Sequence, residues 1–462
     1  MITIVNVNDL YTVEITDITV NGDGIGKTDE GYPLFISGAV TGDQVEVRVT
    51  KVNKTYGFGK IEKILKKSSH RVEAICPCFK DCGGCSVMHI DYSAQLEFKK
   101  NSVMNNLSKI GHYPEGSYEF EGIIGADDPW HYRNKAQFPV GFEKGKAICG
   151  FYRKSSHEII PCPECLIQDK DINIAVNTVM EFIRKHNLRI YNEKNHSGLI
   201  RHIYIRSGGG ADNPIMAVVV TNSDSPIPHS DELASMLAEK VNLKSLVQNI
   251  NTKKSNTVLG YDNITLWGDS TIKANVSGIE FVISPNSFFQ VNYAQMEKLY
   301  SKAKEYAQLD GTQTVFDLYC GVGSISLFMA DKAKKVVGVE IVDAAIENAK
   351  INATANGIDN TEFFCGDCPE VVKKLIAEGY TADTVIVDPP RKGCDEEMLS
   401  LINTIQPQKL VYVSCNSSTL ARDVDILKSY GYIMQKCCAV DMFPHSTHVE
   451  SVALMVRTDI SI

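Results

Sequence analysis

The stretch that decides the fold is TVFDLYCGVGSIS, residues 314–326, an apolar run that leads into a glycine-rich loop. Gly321 and Gly323 let the backbone approach a ligand closely where a strand gives way to a helix. From about residue 290 onward, short apolar runs alternate with helical patterns, as in KKVVGVEIV (334–342) and TADTVIVDPPR (381–391). This alternation predicts a doubly wound α/β sheet of the Rossmann type.

Acidic residues stand at the ends of the strands that follow the glycine loop. Glu340 ends the next strand, Asp367 follows the third and Asp388 follows the fourth. Ligands bind at the carboxyl ends of strands in such sheets, and an acid at the position of Glu340 can bind ribose hydroxyls. Ser326 replaces the third glycine of a dinucleotide-binding loop, which favours S-adenosylmethionine, a ligand with ribose and adenine but no phosphate.

Two further residues indicate covalent chemistry at the same edge of the sheet. Cys415 follows the apolar run KLVYVS (409–414) and lies among polar residues, a setting that suits a reactive thiolate. Glu450 starts the last predicted strand and is a candidate general base. Methylation of a pyrimidine at carbon 5 needs a methyl donor, a thiolate that adds to carbon 6, and a base that removes the carbon 5 proton.

The first half of the chain shows mainly strand patterns. Residues 1–65 contain short alternating runs such as QVEVRVTKV (44–52) between turn signals, which predict a small closed barrel of the OB type. The segment 93–110 predicts a helix with Leu96, Val103, Leu107 and Ile110 on one stripe. A second β-rich region follows, from about 127 to 285.

Charge and composition limit the possible functions. The net charge is −9, but residues 51–71 carry about +6 beside a stretch 1–50 with about −6. Such a basic strip can bind phosphates, and the alternative is a solvated charged hairpin.

No run of 18 apolar residues exists, so a membrane span is excluded. The first residues do not resemble a signal peptide, so a cytoplasmic location is expected. In that compartment, the crowded cysteines of CPCFKDCGGC (76–85) indicate a metal site rather than disulfides.

Taken together, the motifs resemble those of one family, the RNA uracil-5-methyltransferases of the RumA/TrmA type, and most closely its iron–sulfur ribosomal-RNA members. Besides the barrel and the cysteine segment, the matching elements are YRNKAQF (132–138), GFYRKSSHEI (150–159), GLIRHIYIR (198–206), SPNSFFQVN (284–292), DLYCGVGS (317–324), DPPRKG (388–393), SCN (414–416) and FPHSTHVE (443–450). They run nearly from one end of the chain to the other, and jointly they are very specific.

The resemblance implies a role for individual residues. The family pattern C-x5-C-x2-C matches Cys76, Cys82 and Cys85, and the fourth cysteine is Cys162 or Cys165, of which the family context favours Cys165. These thiolates are expected to hold a [4Fe–4S] cluster, with a four-thiolate zinc site as the alternative. Cys415 is implied as the nucleophile and Glu450 as the base. The residues implied to line the cofactor and the target base are Gln290, Tyr319, Gly321, Gly323, Glu340, Asp367 and Asp388.

The resemblance also implies a domain organisation and a substrate. Residues 1–65 form a TRAM-like RNA-binding barrel, 66–92 with 127–287 a β-rich iron–sulfur domain, and 93–126 with 288–462 the methyltransferase domain. The expected substrate is a uridine of 23S ribosomal RNA, because many tRNA members lack the barrel and the cluster; the T-loop uridine of tRNA is the alternative. A monomer without membrane contact is expected.

Two other functional classes are weaker alternatives. Cytosine-5-methyltransferases typically carry a Pro-Cys nucleophile after the fourth strand, where this chain has DPPRKG. An RNA-binding protein with an inactive catalytic domain would not need Cys415, Glu450 and the glycine loop together.

Overall fold

Five short strands close into a barrel near the N-terminal end of the chain in the computed structural model, which describes residues 5–458. The strands are β1 (Leu10–Ile18), β2 (Gly24–Lys27), β3 (Pro33–Ser37), β4 (Gln44–Val52) and β5 (Gly57–Lys66), in the order β1-β2-β3-β5-β4 around the barrel. The alternation in β4 places Val45, Val47 and Val49 inside, with no exposed surface. The predicted small barrel is therefore confirmed.

Helix α1 (Tyr92–Lys109) and strand β6 (Glu119–Ile124) precede the central region and pack against the C-terminal part of the chain. The side chain of Asp91 caps α1 by accepting a hydrogen bond from the Ala94 N–H group at 2.9 Å. Lys99 of α1 donates a 2.5 Å hydrogen bond to Asp441, and both side chains are fully buried. This helix is therefore fixed to the C-terminal part by a buried ion pair.

A seven-stranded sheet forms the centre of the chain, in the order β13-β12-β11-β10-β7-β8-β9. Its core packs Ile203, Ile205 and Val219 against helix α2. A two-stranded hairpin and helix α4 then lead to the last sheet. The elements of this part are β7 (Lys135–Glu143), β8 (Lys146–Tyr152), β9 (Ile159–Pro161), α2 (Lys170–Lys185), β10 (Ile200–Ser207), β11 (Ile215–Thr221), α3 (Ser230–Ala238), β12 (Leu243–Ile250), β13 (Asp262–Gly268), β14 (Ile272–Val276), β15 (Ile279–Ile283) and α4 (Tyr293–Ala307).

An eight-stranded sheet, in the order β18-β17-β16-β19-β20-β22-β21-β6, carries the C-terminal part. Strands β16 to β20 are parallel, and β22 pairs antiparallel with β20 and β21. The elements are β16 (Thr314–Leu318), α5 (Ser324–Ala330), β17 (Lys335–Glu340), α6 (Asp343–Ala355), β18 (Thr361–Cys365), α7 (Cys368–Ala377), β19 (Thr384–Val387), α8 (Glu396–Ile405), β20 (Lys409–Ser414), α9 (Ser417–Ser429), β21 (Tyr432–Val440) and β22 (Glu450–Arg457).

Both faces of this sheet are buried, which explains why its strands read as continuous apolar runs. Val315 and Ile386 belong to a core on one face, together with residues of α4 and α5. Phe316 and Val385 belong to the core on the other face, together with residues of α7, α8 and α9. Within residues 5–458, the structure contains no helix that is both long and apolar enough to cross a membrane.

Candidate active site

Three side chains meet at one edge of the eight-stranded sheet, and we call them the rim cluster: Asp388, Cys415 and Glu450. Asp388 directly follows β19, and Cys415 directly follows β20, its parallel neighbour. Glu450 begins β22, which pairs antiparallel with β20 through Ser414 and Ser451, so Glu450 lies opposite Cys415. Strands that end at the same edge thus bring a thiol and two carboxyl groups together.

Burial determines the electrostatics of the rim cluster. Glu450 is 3% exposed, and burial together with the charge of Asp388 raises its pKa to about 8. Burial raises the pKa of Asp388 to about 7. Burial, and then the charges of Glu450 and Asp388, raise the pKa of the half-buried Cys415 to about 11, while Arg391 acts in the opposite direction. In the free protein, burial therefore favours the neutral form of each of these three groups.

Arg391 is held beside the rim cluster by the loop that contains it. Its main-chain carbonyl accepts hydrogen bonds from Asn416 Nδ2 at 3.1 Å and from Thr419 Oγ1 at 3.4 Å. The Asn416 side chain also caps the N-terminus of α9. Because Asn416 directly follows Cys415, one side chain fixes both the backbone after the thiol and the loop that carries the arginine.

The glycine-rich loop between β16 and α5 is fixed by the acid at the end of β17. Tyr319, Gly321 and Gly323 have φ angles of 67°, 56° and 77°, in the left-handed region that glycine favours. The Glu340 carboxylate accepts hydrogen bonds from the N–H groups of Gly321 at 3.2 Å and of Val342 at 3.0 Å. A Cβ atom on Gly321 would meet nothing within 4 Å, so the loop leaves open space on this side.

Asp317 lies fully buried beneath this loop. One of its oxygens accepts a 2.5 Å hydrogen bond from Ser326, and the other has no partner among residues 5–458. Burial raises the pKa of Asp317 to about 7. An unpaired buried acceptor suits an ammonium group, and Glu340 suits ribose hydroxyls. S-adenosylmethionine carries both, so the residues present fit this cofactor.

The segment before α4 contributes Gln290 and an aromatic side chain that the sequence analysis missed. Gln290 is 8% exposed, and its main-chain oxygen accepts a hydrogen bond from Asn134 at 2.8 Å. Phe288 is 64% exposed, and the Lys135 ammonium lies 5.6 Å from its ring centre. Phe289 is only 3% exposed. The sequence SPNSFFQVN could have predicted that one of the two adjacent phenylalanines is exposed, because adjacent side chains of an extended chain point to opposite sides.

The residues that follow β17 and β18 include both apolar and acidic side chains that are exposed. Ile341 and Val342, which follow Glu340, are 64% and 52% exposed, an apolar surface of the kind on which a purine ring packs. The sequence analysis missed them because they extend an apolar strand. Asp367 is exposed at the start of α7.

A second candidate site is a cavity of about 350 Å³ in the central part of the molecule. A single water needs only roughly 15 Å³ of such volume, so the cavity has room for a larger group. Cys78 is not among its lining residues; its Sγ donates to the Pro161 carbonyl at 3.4 Å. Five cysteines and one arginine are among the residues that line the cavity: Cys76, Cys82, Cys85, Cys162, Cys165 and Arg133.

Among these thiols, Cys165 is the one whose anion is best stabilised. A hydrogen bond from Cys162, the main-chain N–H groups of Ile167 and Gln168, and the charge of Arg133 lower the pKa of Cys165. Burial raises the pKa of Cys82 to about 11, and that of Cys85 still further; the charges of neighbouring cysteines contribute in each case. The cysteines are therefore close enough to interact.

The spacing of the sulfur atoms bears on what the cavity can hold. Among the residues described, no three cysteine sulfurs lie within 4.8 Å of one another. A tetrahedral zinc ion with bonds of about 2.3 Å would place its four sulfurs roughly 3.8 Å apart. The described cysteines thus do not form a ready tetrahedral zinc site.

Comparison with known proteins agrees with this geometry. The family model for tRNA (uracil-5-)-methyltransferases matches residues 228–458, and the TRAM domain model matches residues 5–61. Uncharacterized RNA methyltransferases of Clostridium acetobutylicum and Halalkalibacterium halodurans are 47% and 44% identical, each over 98% of both chains.

A solved structure is similar over nearly the whole chain. It is the Pyrococcus abyssi tRNA (uracil-54, C5)-methyltransferase in complex with S-adenosyl-L-homocysteine, with a TM-score of 0.77 and 28% identity. The match covers 96% of this chain and 100% of that one. The chain therefore belongs to the family of S-adenosylmethionine-dependent RNA uracil-5-methyltransferases, and it carries a TRAM domain.

Proposed function

We propose that the protein methylates carbon 5 of a specific uridine in 23S ribosomal RNA, and that Cys415 bonds covalently to carbon 6 during the reaction. The observation that carries this chemistry is the rim cluster beside the glycine loop. It combines a nucleophile with a base whose pKa of about 8 lies near a working pH.

Cys415 and Glu450 divide the reaction between them. The Cys415 thiolate adds to carbon 6, which makes carbon 5 nucleophilic enough to take a methyl group. Bound S-adenosylmethionine supplies that methyl group on a positively charged sulfur. The Glu450 carboxylate then removes the proton from carbon 5, and the Cys415–carbon 6 bond breaks by elimination, which restores the double bond between carbons 5 and 6 and releases Cys415 as a thiolate.

The cofactor and the target base are proposed to share the cleft in front of the glycine loop. Glu340 binds the ribose hydroxyls, the open face of Gly321 admits the backbone of the cofactor, and Asp388 lies between cofactor and base. Gln290, through its amide, reads the edge of the uracil ring, which separates uracil from cytosine by hydrogen bonding. The cofactor is further lined by Tyr319, Gly323 and Asp367.

We propose a [4Fe–4S] cluster in the cysteine-lined cavity, held by Cys76, Cys82, Cys85 and Cys165. The volume of the cavity and its five lining cysteines support a cluster over a single zinc ion. The main-chain N–H groups of Ile167 and Gln168 and the charge of Arg133 act on Cys165, which supports it over Cys162 as the fourth ligand, because the thiolate is the form that binds iron. When present, the cluster ties the segment 76–85 to the segment 162–165.

The T-loop uridine of tRNA is the second candidate substrate. The Pyrococcus abyssi enzyme, which is similar over 96% of this chain, is named for uracil 54 of tRNA. That match includes the region of the barrel, so the barrel alone does not decide between the two RNAs. The cysteine pattern shared with iron–sulfur ribosomal members is what favours 23S ribosomal RNA.

Methyl transfer to unmodified transcripts tests the proposal. The purified protein is incubated with radiolabelled S-adenosylmethionine and transcripts of 23S ribosomal RNA or of tRNA, and 5-methyluridine is located by nuclease digestion and mass spectrometry. We expect one or a few labelled uridines in the ribosomal transcript. Label in tRNA alone would transfer the proposal to the second candidate, and label on cytidine would overturn it.

A further inference from the structure

The loop between β12 and β13, residues 251–261, is built around buried polar side chains. Arg201 is 5% exposed and donates hydrogen bonds to the main-chain carbonyls of Asn251 at 2.5 Å and Lys253 at 2.8 Å. The Asn251 side chain, 2% exposed, donates to the carbonyls of Thr257 at 2.7 Å and Val258 at 2.9 Å. The backbone of this exposed loop is therefore held in one shape from inside.

The end of the loop is fixed in the same way. Gly260 donates its N–H group to the side chain of the fully buried Asn249 at 2.7 Å and accepts from it at 3.0 Å. A Cβ atom on Gly260 would lie 1.7 Å from the carbonyl oxygen of Ile250, so only glycine fits against the strand. The position of the next residue, Tyr261, is thereby set.

Tyr261 is a highly exposed aromatic residue beside β13, the edge strand of the central sheet. Its side chain is 84% exposed, and the Lys253 ammonium lies 4.8 Å from its ring centre. Lys254, the next residue in the loop, is also exposed. We call Tyr261, Lys253 and Lys254 the Tyr261 platform. The platform thus combines an exposed aromatic ring with two positive charges on a fixed backbone.

The platform is joined to the segment that carries Gln290. Asn263 Nδ2 donates to Asn286 Oδ1 at 2.9 Å, and Asn286 Nδ2 donates to the Gly260 carbonyl at 2.8 Å. Asn286 stands two residues before the exposed Phe288. The platform and the segment that carries Phe288 and Gln290 are therefore joined by hydrogen bonds.

We propose that the Tyr261 platform binds single-stranded RNA next to the target uridine, with Tyr261 stacked on a base and the two lysines on phosphates. Aromatic rings among basic side chains are how proteins hold single strands, since every base offers a face to stack on. This inference rests on the proposed function, because it assigns a second contact to the same RNA. It also gives the buried hydrogen bonds of the loop a purpose, since a fixed ring loses little freedom on binding.

Binding of a single-stranded probe tests the platform. The affinity of the full-length protein for dodecauridylate is measured by fluorescence anisotropy for the wild type and for Tyr261→Ala and Tyr261→Phe. We expect at least about a 5-fold weaker Kd for Tyr261→Ala, the loss that corresponds to one stacked base, and less than a 2-fold change for Tyr261→Phe. Phe142→Ala is the matched control, because Phe142 is 69% exposed on β7 and lies outside the platform.

A local reporter and a salt series complete the experiment. The fluorescence of Tyr261→Trp should be quenched by dodecauridylate, relative to the same titration of the wild type with its two native tryptophans. Lys253→Ala/Lys254→Ala should reduce the slope of log K against log salt by about 1.4. An unchanged Kd for Tyr261→Ala, or a Tyr261→Trp signal that RNA leaves unaltered, would overturn the inference, and a protein partner would then be sought.

The outcome is separable from that of the proposed function. Methyl transfer by the wild type to ribosomal or tRNA transcripts does not depend on how dodecauridylate binds to Tyr261→Ala. A wild type that methylates no RNA would reject the proposed function alone, and a normal Kd for Tyr261→Ala in an active enzyme would reject the platform alone.

Discussion

At the scale of single residues, Cys415 is the most direct test of the chemistry. We expect Cys415→Ala to abolish methyl transfer while S-adenosylmethionine binds with unchanged affinity, because β19 separates the strand that ends at Cys415 from the strand that leads into the glycine loop. RNA that contains 5-fluorouridine should form a covalent adduct with the wild type, since fluorine cannot leave as a proton, and none with the variant. Denaturing gel electrophoresis detects the adduct, and calorimetry measures cofactor affinity.

The control for this experiment is a cysteine in a different setting. Cys438 is buried in β21, outside the rim cluster and the cysteine-lined cavity, so Cys438→Ala should keep both activity and adduct formation. Methyl transfer by Cys415→Ala at a rate near that of the wild type would remove Cys415 from the mechanism.

Substitution of Glu450 should separate methyl transfer to carbon 5 from the later removal of the carbon 5 proton. With Glu450→Gln we expect methyl transfer to carbon 5 followed by a stall, so that a covalent adduct with ordinary, unfluorinated RNA survives on a denaturing gel. In the wild type, the turnover rate should rise with pH through about 8, because the carboxylate is the form that accepts the proton. Normal product release by Glu450→Gln, without a trapped adduct, would assign the base to another group.

The same substitution has a stability consequence with a defined sign. The pKa of Glu450 is raised by folding, so its contribution to stability is complete below the pKa of the unfolded chain and is lost as the pH rises towards about 8. Glutamine does not ionise. The melting temperature of Glu450→Gln should therefore exceed that of the wild type by a margin that grows from pH 5 to pH 8, measured by differential scanning fluorimetry.

Sequence reasoning located the strand-end residues because their positions follow from the pattern of apolar runs. Glu340, Asp388 and Cys415 each come at or after a run that could only be a buried strand, and parallel strands end at one edge. Tyr261 was not found, because a single aromatic residue in a loop gives no sign in the sequence of whether it is packed or exposed. Phe288 could have been found, because in the pair Phe288 and Phe289 one ring of an extended segment is expected to be packed and the other exposed.

At the scale of elements, the two segments that line the cysteine cavity can be tested with a matched pair of variants. Protein purified without oxygen should be brown, with about four irons per chain. We expect Cys165→Ser to lose the colour and Cys162→Ser to keep it, because the N–H groups of Ile167 and Gln168 and the charge of Arg133 stabilise a thiolate at Cys165. Absorbance near 400 nm and metal analysis give the result, and circular dichroism reports whether each variant has folded.

Two outcomes would contradict this assignment. Stoichiometric zinc without iron in protein kept from oxygen would replace the cluster by a zinc site. A brown centre in Cys165→Ser together with a colourless Cys162→Ser would exchange the fourth ligand.

Helix α1 shows what an element's pattern can and cannot predict. The stripe of Val103 and Leu107 was predicted and is buried, but Ile110 is 39% exposed, and Lys99 is fully buried instead. Lys99 is stable there because it pairs with Asp441, which lies 342 residues further along the chain. Periodicity assigns a face by hydrophobicity alone, so a buried ion pair with a distant partner is invisible to it.

At the scale of the whole molecule, the separate parts converge on the loop that leads into Glu450. Thr447 of this loop donates a 2.6 Å hydrogen bond to the Val20 carbonyl of the barrel region. The His445 carbonyl accepts hydrogen bonds from Ser86 at 3.0 Å and Val87 at 3.1 Å, directly after the cysteine segment. The loop that leads into Glu450 is therefore hydrogen-bonded both to the barrel region and to the end of the cysteine segment.

The barrel presents its own surface of aromatic and basic side chains. The rings of Phe35, Tyr56 and Phe58 lie with their centres 5.2 to 5.8 Å apart, and the Lys51 ammonium lies 5.9 Å from the ring of Phe58. Lys54 is exposed in the adjoining turn. The basic strip that the sequence showed at residues 51–71 therefore stands beside a stacking surface, which favours phosphate binding over a merely solvated hairpin.

If the barrel holds RNA while the rim cluster performs the reaction, the two contributions should separate in kinetics. We expect Lys51→Ala/Lys54→Ala to raise the KM for RNA several-fold with little change in kcat, because the lysines contact phosphates equally in the ground and transition states. The slope of log K against log salt should fall by about 1.4, as two phosphate contacts are lost.

The control is Lys332→Ala/Lys334→Ala, which removes the same charge from the loop between α5 and β17. It should alter neither the KM for RNA nor the salt slope. Equal effects of the two pairs would mean that net charge, and not the barrel surface, governs RNA binding; a fall in kcat with unchanged KM would mean that the barrel positions the catalytic loop instead.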